Sequence, residues 1–146
     1  MHLPMRMHMH MHCGRLVFIG SDCPELPPSE LQAALHTCRQ PHAAHLCPAD
    51  DGGYVLLGLP RDLYAADTAR ASLFEGVRWS SSDTCSSQAK ALARAGLRAV
   101  VVGPTYHDCD ELEDVLGLEV RLRAAPAPSR CANVGAWLHG LRQVLE

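Results

Sequence analysis

Lysine is nearly missing from this chain: its thirteen basic residues are twelve arginines and one lysine, scattered among sixteen acids for a net charge of −3. No basic stripe can form, so nucleic-acid binding has little support. The seven cysteines include no Cys-x-x-Cys pair. An odd, scattered set without a secretory signal reads as reduced thiols in a cytoplasm. No apolar run approaches membrane-spanning length, and the start lacks the apolar centre of a signal peptide. There is no P-loop, no G-x-G-x-x-G and no G-x-S-x-G. Cysteine and histidine are plentiful, yet no spacing between them marks a nucleophile and its base. Aromatics make up only 5% of the residues.

What is present suits one globular α/β domain of 146 residues, with 47% apolar and 20% charged residues. Leu16 to Gly20 is a short apolar run ending in Gly, which reads as a strand buried on both faces. Asp22 follows and Pro24 stops the strand. Ligands of open α/β sheets bind beyond the carboxyl ends of strands, where Asp22 stands. A carboxylate there suits a hard divalent cation that arrives with phosphates. It equally suits a turn that caps the next helix.

Residues 1–13 form an alternating Met-His tract, read as a disordered tail without a core role, although imidazole and thioether groups can hold a soft metal. Pro27-Pro28-Ser29-Glu30 opens a helix whose Leu31, Ala34, Leu35 and Cys38 share one apolar face. His42 to Cys47 is a weaker strand candidate. Its His-x-x-His-x-Cys pattern resembles zinc ligands, but a strand puts His42 and His45 on opposite faces. Asp50 and Asp51 then precede Gly52, Gly53 and Tyr54, which makes a tight loop that a ligand can approach closely. Turn chemistry alone could explain one acid there, but two exceed what a turn needs.

Tyr54 to Leu59 reads as a strand, and 61–71 has mixed helical character. Trp79 is a core anchor or a pocket wall, core being the commoner fate. One of Ser80, Ser81 and Ser82 caps a helix from about Asp83 to Ala95 with Cys85, Ala89, Leu92 and Ala93 on its apolar face. Ala99 to Val102 is another apolar strand, again followed by acids at Asp108 and Asp110. Asp110 can cap the short helix expected from Glu111 to Leu116, ended by Gly117; Asp108 has no such duty. A linker at 124–128 leads to a last amphipathic helix carrying Val134, Trp137, Leu138, Leu141 and Leu145. Carboxylates at Asp22, Asp51 and Asp108 could meet at one Mg²⁺ or Mn²⁺ that bridges a diphosphate.

Four motifs carry a family resemblance over about residues 15 to 118. Gly20-Ser21-Asp22-Cys23-Pro24-Glu25-Leu26 resembles G-[ST]-D-x-P-x-L of a bacterial family of glycosyltransferase-A-fold proteins. Many members are associated with radical-SAM or selenium proteins. Pro48 to Tyr54 with Leu57-Gly58-Leu59 is similar to P-A-x-D-G-G-Y-x-L-x-G-L. Leu73 to Ser80 resembles L-F-x-x-[IV]-x-W-S. His107 to Val115 resembles x-D-[IV]-D-T-x-x-D-L, with Cys109 in place of an aliphatic residue and Glu111 in place of Thr.

The resemblance implies a Rossmann-like nucleotide-diphosphosugar transferase fold. Asp22 and Asp108 would be the metal-side acids. Asp51 would be the catalytic acid beside sugar or acceptor. Asp50, Gly52, Gly53, Tyr54, Trp79 and Ser80 would contact substrate. Related guanylyltransferases share G-x-D-x-P, which keeps nucleotidyl transfer as the alternative. The family's opening strand and its basic nucleotide loop have no counterpart here, so the chain resembles the carboxyl-terminal part of the domain, at 14–146. A non-catalytic fragment or half-domain is therefore a third reading. It carries an exposed apolar strand edge available for self-association.

Overall fold

Two continuously buried strands, Ala43–Pro48 and Tyr54–Pro60, form the centre of the sheet. The structure is a computed structural model describing residues 14–60, 72–124 and 131–145, the last helix without the side chains of 132 and 141–145. The Met-His tract, the helical reading of 61–71 and the linker beyond Ala124 lie outside these residues. Among the described residues four strands are present, β1 (Arg15–Ile19), β2 (Ala43–Pro48), β3 (Tyr54–Pro60) and β4 (Ala99–Val102). Their order is β1-β3-β2-β4. β3 runs antiparallel to β1 and β2, and β4 runs parallel to β2. The carboxyl ends of β1, β2 and β4 and the amino end of β3 therefore share one rim.

Among the described residues the helices are α1 (Pro28–Thr37), α2 (Thr84–Arg94), α3 (Leu112–Ala124) and α4 (Ala132–Leu145). On one sheet face, Ala44, Leu46, Leu57 and Leu59 join Leu73, Leu92 and Leu97 in a core under α2. The α1 side has a second core of Cys23, Ala34, Cys47, Ala49, Val55 and Leu56. Among the described residues, no helix is long and apolar enough to cross a membrane. Cys23, Cys38, Cys47, Cys85, Cys109 and Cys131 are all free thiols.

Several expectations change. β1 is not buried on both faces: among the described residues it pairs only with β3, and Phe18 and Ile19 are 45% and 56% exposed. Successive strand residues point to opposite faces, so the exposure of Phe18 and Ile19 leaves both faces open at the carboxyl end of β1. The weaker candidate, β2, is an interior strand as enclosed as β3, because β3 and β4 flank it and helices cover it. Leu35 is exposed while Ala34 and Cys38 carry the α1 contact, so its apolar face is narrower than the spacing suggested.

α2 buries Thr84, Ser87, Gln88, Ala91 and Leu92, and leaves Ala93 outside. The buried polar groups anchor the loop before the helix. Gln88 Nε2 donates to the Leu73 carbonyl at 2.8 Å, Thr84 Oγ1 to the Arg78 carbonyl at 2.7 Å, and Arg78 N to Ser87 Oγ at 2.9 Å. Its N-terminal residue, Asp83, makes no side-chain cap. α3 does not stop at Gly117 but runs to Ala124. Its packing on α4 and the Arg121–Glu25 ion pair at 2.7 Å outweigh the weak helix propensity of one glycine.

Candidate functional site

The acids gather on the shared rim because of how one segment travels. β1 and β4 are opposite edges of the sheet, not neighbours, so their carboxyl ends do not meet directly. The chain after β4 crosses the rim instead. Gly103 N bonds the Leu46 carbonyl, Tyr106 pairs with Ala49 as a parallel bridge, and Cys109 N donates to the Asp22 carbonyl at 2.9 Å. The crossing carries His107, Asp108 and Asp110 over the end of β2 toward the loop after β1.

The loop between β2 and β3 rises from below. Ala49 N bonds the Gly53 carbonyl and Asp50 N bonds the Tyr106 carbonyl. Asp51 accepts from Gly53 N at 2.6 Å, an Asx-type turn that fixes its carboxylate. Gly52 has φ +93, and a Cβ on it would lie 2.2 Å from the Ser82 carbonyl oxygen. Only glycine can take that backbone shape and let the Ser82 segment so close. Cys85 N then donates to the Gly52 carbonyl at 2.8 Å, which ties the rim loop to α2.

Oxygens of Asp51, Asp108 and Asp110 come within 4.8 Å of one another. Asp110 is free for this cluster because Asp114 caps α3, accepting from Asp110 N at 3.1 Å and Glu111 N at 2.8 Å. Burial pushes the Asp108 carboxyl above its ordinary value, and the charges of Asp51, Asp110 and Asp50 push it further. Asp22 is not one of the trio, although its loop is pinned to Cys109.

Beside the trio, His107 Nδ1 hydrogen-bonds the Asp50 carboxylate. Slight burial raises the Asp50 carboxyl, but the His107 hydrogen bond and charge outweigh it and hold the group below the usual carboxylate value. Sequence spacing alone could not reveal this pair, which lies 57 residues apart. Arg121, also missed, links α3 to the loop after β1 through Glu25, and its Nη2 is buried without a hydrogen-bond partner among the described residues.

Tyr54 is half-buried at the rim end of β3, its hydroxyl donating to Gln88 Oε1 at 3.2 Å. Trp79 is not a core anchor; it is 57% exposed, with its ring centroid 6.2 Å from that of Phe74. Ser80 follows with a left-handed φ of 53. The structure thus brings Asp50, Asp51, Gly52, Gly53 and Asp108 together. It sets Asp22 beside them through the backbone, and it keeps Trp79 and Ser80 on the exposed approach to α2.

Three carboxylate oxygens at this separation are hard donors, and they suit a divalent cation of the Mg²⁺ or Mn²⁺ type. The fold is similar to a crystal structure described as a "putative nucleotide-diphospho-sugar transferase from Desulfovibrio desulfuricans G20", with 31% identity and a TM-score of 0.69. The match covers 90% of this chain and 53% of that one, so the chain spans about half of that protein's length. No curated protein matches the chain. Residues 1–81 match the family described as "Uncharacterized protein conserved in bacteria (DUF2064)", and the chain belongs to that family.

Proposed function

We propose that the chain is a metal-dependent, glycosyltransferase-like protein whose rim takes a nucleotide-diphosphate sugar. The observation that carries this reading is the meeting of Asp51, Asp108 and Asp110 oxygens within 4.8 Å at the carboxyl-end rim of an α/β sheet. The likeness to the Desulfovibrio protein supports the substrate class. Free thiols support a cytoplasmic setting.

Asp22 and Asp108 are the acids assigned to the cation, with Asp110 added from the trio. A bound Mg²⁺ or Mn²⁺ supplies positive charge to offset the leaving diphosphate. Asp51, fixed by Gly53 N, stands as the catalytic acid beside sugar or acceptor. Asp50 orients His107, and an imidazole so held can take a proton at Nε2 from an attacking acceptor hydroxyl. Gly52 and Gly53 keep side chains out of the donor's path, while Tyr54, Trp79 and Ser80 offer an aromatic and hydroxyl wall. Nucleotidyl transfer would use the same rim with attack at the α-phosphate.

A second reading rests on the open β1 edge, where Phe18 and Ile19 are exposed. There the chain acts as a half-domain that pairs through this edge with another copy.

Calorimetry with several nucleotide sugars, with and without Mn²⁺, tests the first reading. The expected result is Mn²⁺-dependent binding that Asp22→Asn and Asp51→Asn reduce at least about tenfold, a loss of about 1.4 kcal/mol, with Asp50→Asn milder. Binding that ignores both Mn²⁺ and Asp22 refutes the mechanism. A complete lack of binding favours the half-domain.

A further inference from the structure

Just before the rim, β2 turns two polar side chains inward. His45 is 3% exposed and Cys47 is fully buried. Residues two apart on a strand share a face, and this face lies under α1. Glu30 in the first turn of α1 reaches the same point. Its Oε2 is 3.2 Å from His45 Nε2 and 3.4 Å from Cys47 Sγ, and all three donor atoms lie within 4.8 Å of one another. Gly103 stands against them. The place its Cβ would take is 2.9 Å from Cys47 Sγ and 3.0 Å from both Glu30 Oε2 and His45 Nε2. Only a residue without a side chain fits against these three donors without displacing them.

We propose that Glu30, His45 and Cys47 form a buried site for a borderline divalent cation, zinc being the best chemical match. Carboxylate oxygen, imidazole nitrogen and thiolate sulfur are each ordinary zinc ligands. Bonds of about 2.0 Å to nitrogen or oxygen and about 2.3 Å to sulfur, at tetrahedral angles, call for donor separations of roughly 3.3–3.5 Å. The 3.2 Å and 3.4 Å separations are close to that. Magnesium and calcium want more oxygen than one carboxylate gives, and copper(I) wants more sulfur.

The outer contact also fits. His45 Nδ1 is 3.3 Å from Thr37 Oγ1, a hydroxyl able to accept the ring N–H and leave Nε2 for the cation. His42 is not part of this group; it sits at φ 64 in the turn before β2. The ligand set is thus Glu30, His45 and Cys47, where the spacing alone had offered His42, His45 and Cys47. Binding displaces the Cys47 thiol proton to solvent. The cation would clamp α1 to β2 at the roots of both segments that carry the rim acids, one leaving β2 at Pro48 and one starting at Gly103. None of this depends on the transferase reading.

The same distances also fit a metal-free triad in which Cys47 Sγ–H and a His45 ring N–H donate to Glu30, so the test must separate the two. The full chain is stripped with a chelator, titrated with Co²⁺ and then with Zn²⁺. A single equivalent of Co²⁺ is expected to produce a thiolate-to-cobalt charge-transfer band, which a single equivalent of Zn²⁺ removes. The Met-His tract and Cys13 offer metal another seat, so variants assign the band: Cys13→Ala retains it and Cys47→Ala abolishes it. Glu30→Gln preserves side-chain shape and an acceptor oxygen. It is expected to weaken zinc binding at least about tenfold while the circular dichroism of the metal-free protein stays unchanged. Should Cys47→Ala fail to fold, Glu30→Gln and Cys13→Ala decide. The proposal is overturned by a missing thiolate band in the parent chain, by a band that follows Cys13 instead of Cys47, or by unchanged zinc affinity in Glu30→Gln.

Discussion

Two clusters of three potential ligands sit near each other and differ in nearly everything else. The outer one, Asp51, Asp108 and Asp110, is all carboxylate and at most half-buried. The inner one, Glu30, His45 and Cys47, mixes oxygen, nitrogen and sulfur and is largely buried. Both draw on β2 or the loop leaving it, and both depend on the segment after β4. The difference teaches how depth selects chemistry. At the rim, water screens three like charges, so they can coexist and still receive a cation. Inside, three carboxylates could not stay ionised together, and only groups that can share protons or a single cation are tolerated.

The sharpest way to break the comparison is Gly52→Ala. A Cβ 2.2 Å from the Ser82 oxygen at φ +93 cannot be relieved by a rotamer change. The rim loop must move or the fold must open, with an expected loss of about 3 kcal/mol and a fall in Tm of roughly 6–12 °C. Thermal unfolding checks it, and a Tm within a degree of the parent would show that the loop adapts freely.

Gly103→Ala probes the inner cluster with a smaller effect. The new methyl meets three buried donors at 2.9–3.0 Å, and overpacking of this kind costs about 1–3 kcal/mol. It should also suppress the Co²⁺ thiolate band while Mn²⁺ still stabilises the rim. Equal loss of both responses would mean that the two clusters act as one unit.

The smallest effect is expected from Asp108→Asn without metal. Burial, and then the charges of Asp51, Asp110 and Asp50, raise the Asp108 carboxyl in the folded state. A raised acid holds its proton longer folded than unfolded. Its contribution to stability therefore falls as pH rises from the ordinary carboxylate value through the raised one. Asp108→Asn should remove that decline, leave the metal-free Tm equal or slightly higher at neutral pH, and abolish stabilisation by Mn²⁺. Asp50 carries the opposite sign. Its lowered carboxyl supports the fold above the ordinary value, and that support is lost as pH falls through the lowered value. Unfolding scans with and without Mn²⁺, carried from neutral pH down to strongly acidic pH below the ordinary carboxylate value, would resolve both trends.

Much of the rim was legible from residue order. Apolar strands that end in acids, and two acids followed by two glycines, pointed to the acids that the structure gathers on one rim. The α/β class followed from the same alternation. Less legible were Asp110, whose apparent capping duty is performed by Asp114, and the His107–Asp50 pair, formed by residues far apart in the chain. Trp79 was open between a core anchor and a pocket wall; it stays exposed because the loop it rides on is anchored by Thr84, Ser87 and Gln88 instead. The end of α3 did mislead: local propensity at Gly117 is worth less than an ion pair and a packed helix neighbour.

By itself the sequence determined which segments are strands, where their carboxyl ends carry acids, and that Gly52 and Gly53 make a tight loop, because these are short-range matters of periodicity and backbone sterics. Only the tertiary structure decided that β1 lies at an edge and β2 at the centre, since strand order depends on pairing between distant segments. It also decided which acids share a point. Asp51 and Asp108 meet because the segment after β4 crosses the rim, where Tyr106 bonds Pro48 and Asp50 and Cys109 bonds Asp22. Glu30 reaches His45 and Cys47 because α1 packs across β2. Those distances belong to the packing of whole elements, and no spacing along the chain encodes them.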